Sequence, residues 1–200
     1  KNPDLEKSEP VKPITWWIEN TTPHELRSVI KDGVEAWNIA FEKAGFLNAI
    51  EVKVQSDTAT WDAGDIRYNV LRWTSSPNPP FGGYGPSFVN PRTGEILGAD
   101  IMLEWTYITN RIYQNKLFNE DDQTLPIEEI NIENNIHAHN CDAAYFQKFE
   151  NSLGINYIES LDLSSEIKKD LLKQSLYRLV LHEVGHTLGL NHNFKGSTYL

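Results

Sequence analysis

The run HEVGHTLGLNHN at residues 182–193 constrains this chain more than any other stretch. His182 and His186 lie four positions apart, so a helix places both on one face, roughly 6 Å apart along its axis. Two imidazoles placed this way grip a single metal ion at about 2.0–2.1 Å each. Glu183 sits beside the first of them, within reach of a water on that metal. A third imidazole from the same helix would point elsewhere, so the helix has to stop. Gly189 supplies the stop, because glycine enters the left-handed conformation at a helix end without a Cβ penalty. The chain then reverses, and His192 closes the site from the other side. With Gly at 12 and His at 6 of 200 positions, chance adds the second Gly and the third His to an HExxH only roughly 0.002 of the time. The plainer alternative is an amphipathic helix whose histidines are solvated or packed in a core. It leaves the helix-ending glycine at that offset unexplained.

On these residues the chain resembles the metzincin metallopeptidases. The longer run HEVGHTLGLNHNFKGS is most similar to the bacterial zinc-dependent Met-zincin proteins. The resemblance implies Zn2+ held by His182, His186 and His192, with Glu183 as general base. It also implies an exported protein, whether periplasmic, outer-membrane-associated or secreted. One departure stands out. Metzincins place a methionine turn after the third histidine, whereas only eight residues follow His192 and the single methionine, Met102, lies far upstream. The expectation is therefore a flexible arm at 1–12 and a metzincin-like upper catalytic subdomain at 13–200, truncated after the third histidine. Weak zinc binding and a mobile stretch near His192 would follow.

Two hundred residues suit one domain with a real core. Apolar residues make up 40% and aromatics 11%, which excludes a disordered chain. The net charge of −10, with no long basic run, argues against a nucleic-acid or anionic-membrane partner. One cysteine, Cys141, excludes an internal disulfide. No run of 18 apolar residues exists to span a membrane.

Read in order, residues 14–19 are β-branched and aromatic and predict a strand. Thr22, Pro23 and Glu25 read as a capping box. Leu26, Ile30, Val34, Trp37 and Phe41 then recur at helical spacing up to Gly45. Residues 50–54 alternate as a half-buried strand. Residues 65–73 predict a third strand with Ile66, Tyr68 and Val70 on one face, and 75–80 a proline-rich loop. Residues 83–90 and 95–104 flank the turn signal Pro91-Arg92-Thr93-Gly94 and predict a hairpin. Residues 105–140 show no clear period, and 141–150 suit a helix. Asp162 or Ser164 caps a last helix, with Ile167, Leu171, Leu172, Leu176, Leu179, Val180 and Val184 along one face into the histidine motif. The expected fold is α+β, a metzincin-like twisted mixed sheet of about five strands with two long helices, the second carrying HExxH.

Other groupings carry less. His137, His139 and Cys141 match no strong zinc spacing and read as a polar loop. Glu120, Asp121 and Asp122 lack the spaced oxygens of a calcium loop. His24 belongs to the first helix, Asn193 ties down a turn, and Asp65, Asp100 and Glu104 read as structural acids. Proline at 86 denies its strand an N–H and places that strand at a sheet edge. An open edge accepts an extended peptide, so Tyr84, Gly85 and Ser87 are expected to border the active site as substrate-binding residues. The expected function is a zinc-dependent endopeptidase acting on a peptide or protein. The alternatives are a zinc-stabilised, catalytically inactive binding or scaffolding domain, and a hydrolase of non-peptide amides.

Overall fold

The structure is a computed structural model that describes residues 2–75, 83–104, 150 and 153–193. The chain forms two compact units. One comprises Lys1–Thr74, Gly83–Leu103 and Lys173–Leu200, the other Ser75–Gly82 and Glu104–Leu172.

The fold is α+β. In the first unit β1 (Ile14–Ile18) is the parallel partner of both β2 (Ile50–Val54) and β3 (Asn69–Thr74). Between β1 and β2 run α1 (His24–Glu35) and α2 (Asn38–Lys43). The sheet continues through β6 (Ile96–Glu104) to β4 (Gly83–Tyr84), in the order β2-β1-β3-β6-β4, while β5 (Ser87–Val89) pairs with β6 as its sixth strand. Both β4 and β5 run antiparallel to β6, on the registers Gly83↔Leu103 and Ser87↔Ala99. Gly85 and Pro86 fall between them, where no ladder hydrogen bond demands the missing proline N–H.

Alternation in the strands sorts the two faces of the sheet. Trp16 and Ile18 from β1, Val70 from β3, and Ala99, Ile101 and Leu103 from β6 are buried. They share this core with Ile30 and Val34 of α1 and with Leu176, Leu179, Val180 and Val184 of the last helix. Trp17, pointing the other way, packs edge-on against Trp61 at 5.4 Å, and Trp61 stacks on Tyr68 at 4.0 Å.

The structure departs from the sequence expectations at four places. The first helix is not continuous: it ends at Glu35, and α2 starts at Asn38. The Asn38 amide donates to the Ile50 carbonyl at 2.9 Å and accepts from the Ile50 N–H at 2.9 Å. It thereby ties α2 to the start of β2, which among the described residues has only β1 as a strand partner. Thr22 does not cap α1, whose N-cap is Pro23 with no side-chain bond. Thr22 is buried, and its carbonyl takes the Arg27 Nε–H at 2.9 Å. The third strand begins only at Asn69, because Asp65 accepts the Arg67 backbone N–H and its carbonyl accepts that of Tyr68, closing a turn. Ile167 is 44% exposed, and burial of the last helix starts at Ser175.

The N-terminal residues expected as an arm make a bridge from Ser8 to Phe46, with Ser8 itself buried. In the second unit residues 153–160 are helical (α3). Asp162, at φ 50°, ends α3 through Leu163 N–H donating to Ile158 O at 3.0 Å. That leaves Ser164 directly before α4 (Ser165–Thr187). Expectations for residues 76–80, 105–140 and 141–149 lie outside the described residues. No helix among the described residues is long and apolar enough to cross a membrane.

Candidate metal centre

Helix α4 is positioned over the sheet by close approaches. A Cβ on Gly33 of α1 would lie 3.0 Å from Val180 Cγ1, so α1 and α4 meet nearly backbone to side chain there. One turn further, the Trp37 ring covers Gly185, where a Cβ would come within 2.9 Å of Trp37 Cζ2. The Trp37 indole N–H also donates to the Leu181 carbonyl at 3.0 Å. The glycine inside HEVGH therefore makes room for a tryptophan 148 positions earlier (185 − 37). On the strand side, Gly85 faces the Glu183 carbonyl oxygen, 3.1 Å from its would-be Cβ.

The helix ends as its sequence predicts. Gly189 has φ 91°, the Leu190 N–H donates to Gly185 O at 3.1 Å, and the Gly189 N–H donates to His186 O at 3.0 Å. This turn brings the Leu190 carbonyl back over the helix, 2.9 Å from His186 Nδ1. A carbonyl only accepts, so Nδ1 carries the proton and Nε2 presents a lone pair.

That nitrogen meets two others. His186 Nε2 lies 3.0 Å from His182 Nε2 and 3.1 Å from His192 Nε2, and the remaining pair is 3.1 Å apart. Ligand atoms of a tetrahedral zinc site with bonds of about 2.0–2.1 Å stand about 3.3–3.4 Å apart. The three imidazoles thus converge at close to the spacing zinc requires, through the same ring atom of each. They form a histidine group that could hold a metal ion. Burial, then the neighbouring His186 and His192, push the His182 imidazole down to about 4. Neutral rings are the ligand form.

Glu183 is 2% exposed, and its Oε1 has no hydrogen-bond partner among the described residues. Burial pushes its carboxyl up to about 7, against a smaller opposing effect of His186. A buried carboxylate oxygen without a donor is costly, and such groups gather where chemistry needs them.

Tyr84 closes β4 and is exposed, Gly85 lies between β4 and β5 beside α4, and Ser87 opens β5. Asn193 is exposed just past His192. His24 is the first residue of α1. Asp65 pairs with Arg67. Asp100 is raised by burial and held back by Arg72, and Glu104 is buried. His137, His139, Cys141, Glu120, Asp121 and Asp122 lie outside the described residues. The sequence reading passed over Gly83, whose would-be Cβ lies 3.0 Å from Glu183 Cγ. An aromatic neighbour and a second glycine two positions on, in GGYG, were the only local marks of a close approach.

No curated protein and no solved structure matches the chain. A family model described as Met-zincin matches residues 164–200. That segment holds His182, His186 and His192 with Glu183 and Gly189, and the match supports a metzincin-like assignment for it.

Proposed function

We propose that the chain is a zinc-dependent peptidase. The observation that carries this reading is the pairing of a three-imidazole centre with the adjacent, buried Glu183 carboxylate, whose Oε1 has no hydrogen-bond partner among the described residues. A purely structural zinc site needs its ligands, with no use for a buried acid one residue away. His182, His186 and His192 would hold zinc, which would supply Lewis acidity and make a water more acidic. Glu183, with its carboxyl near neutral, takes a proton from the attacking water and returns it to the leaving amine nitrogen. The Leu190 carbonyl keeps the His186 ring in the tautomer that leaves Nε2 free.

The substrate we assign is an extended peptide. Among the described residues β4 and β5 have β6 as their strand partner and close that end of the sheet. An incoming strand can add to this edge, placing Tyr84, Gly85 and Ser87 along it, with Gly85 next to the Glu183 backbone. By the same reading the protein acts outside the bacterial cytoplasm.

Glu183→Gln tests the proposal. It keeps shape and all three ligands but cannot take a proton, so zinc content should stay at the parent level. Peptide hydrolysis should fall by about 10²–10⁴-fold. A variant that cuts at the parent rate would refute the role. A parent protein that binds zinc and cuts nothing across a broad peptide library would favour the scaffolding reading.

A further inference from the structure

Glu183 Oε1 is held by no hydrogen bond among the described residues, so its position is set by what packs against it. Two residues do. A Cβ built on Gly83 would lie 3.0 Å from Glu183 Cγ, 3.1 Å from Glu183 Oε1 and 3.0 Å from Leu179 Cδ1. Ordinary carbon–carbon contacts are about 3.5–4.0 Å, so the Gly83 backbone is already the surface on which the carboxylate rests. Nor can the strand back away. Gly83 and Tyr84 pair with Leu103 and Met102 of β6. Two residues on, Gly85 lies as tightly against the Glu183 backbone, with a would-be Cβ 3.1 Å from its carbonyl oxygen. The strand touches the motif helix at both the backbone and the side chain of one residue.

We infer that Gly83 is a positioning residue for the Glu183 carboxylate: the bare backbone of β4 fixes where the proton acceptor stands relative to the three histidines. The inference rests on the proposed role of Glu183. Any side chain at 83 has to turn the carboxylate or displace Leu179. The three atoms nearest that Cβ belong to Glu183 and Leu179 and none to an imidazole, so the carboxylate is expected to shift before the histidines do.

The test is Gly83→Ala, alone and combined with changes at Glu183, in the intact protein. Zinc affinity, measured by competition with a chromophoric chelator, should stay within about threefold of the parent. The kcat should fall by roughly 10–100-fold with KM nearly unchanged, as expected for an ångström-scale misplacement of a reacting group. In a Glu183→Gln background, Gly83→Ala should cost no further activity, because the base it misplaces is already gone. A purely structural role would lower both backgrounds alike.

A second measurement does not depend on catalysis. In the metal-free protein Gly83→Ala should lower the melting temperature by about 3–8 °C, as overpacking does. In a Glu183→Ala background most of that loss should disappear, since Cγ and Oε1 are no longer there to be met. An equal loss in both backgrounds overturns the contact itself. If the melting cycle shows coupling while the parent cuts no peptide, the packing inference stands and the peptidase reading fails. If the parent cuts and Gly83→Ala leaves kcat unchanged, the positioning role is wrong and the peptidase reading survives.

Discussion

His186 shows how single residues carry both geometry and protonation here. One ring nitrogen meets the Leu190 carbonyl at 2.9 Å, and the other faces two further imidazoles. The turn at Gly189 makes the first contact possible, since φ 91° is closed to other residues without strain. Asp65 is a second case. The Arg67 side chain, then its backbone N–H, holds the Asp65 carboxyl down to about 2. A carboxyl whose folded pKa lies below its unfolded value of about 3.9 adds stability above that pH. The contribution is lost as pH falls toward 2. Arg67→Ala should carry the Asp65 midpoint most of the way back to about 3.9 in a carboxyl NMR titration. A midpoint that stays put would mean that Arg67 is not the cause.

At the scale of elements, α4 is set by small residues meeting large ones. Gly33 admits Val180, and Gly185 admits the Trp37 ring. The break between α1 and α2 belongs to the same arrangement. Trp37 stands at the break, where its indole bonds Leu181 O, and Asn38 clamps both backbone groups of Ile50. Gly185→Ala should therefore destabilise the protein by about 1–3 kcal/mol through overpacking against Trp37. A denaturant titration would measure this. Trp37→Phe, a smaller ring, should recover part of the loss in the double variant. Additive effects of the two changes would show that the ring and the glycine do not act on each other.

For the molecule as a whole, metal binding and folding are linked, because the unfolded chain does not hold three imidazoles within 3.1 Å. Free zinc at 100 times its dissociation constant should stabilise the chain by about 2.7 kcal/mol. For this size that is a rise of roughly 5–11 °C in melting temperature, readable by calorimetry with and without a chelator. His192 is exposed and past the helix end, so His192→Ala should leave the metal-free melting temperature nearly unchanged. It should remove most of the zinc-dependent rise. A full rise in that variant would strike His192 from the ligand set.

What the sequence determined by itself is whatever neighbours along the chain decide. The spacing 182–186–192, the glycine that ends the helix, and the strands β1 and β2 depend on local residue type and backbone freedom within a dozen residues, and all were legible. Tertiary contacts settled the rest. Thr22 reads as a cap but is buried, with its carbonyl bonded to Arg27. Asp65 to Tyr68 read as strand but close into a turn around the Asp65 carboxylate and carbonyl. Trp37 fits a continuous helical stripe, yet its indole is drawn to a carbonyl 144 residues away. Gly83 sits in GGYG, which marks a close approach but not that its missing side chain is room for Glu183. Each outcome turns on a distance between residues remote in the chain, and a pattern of near neighbours contains no such distance.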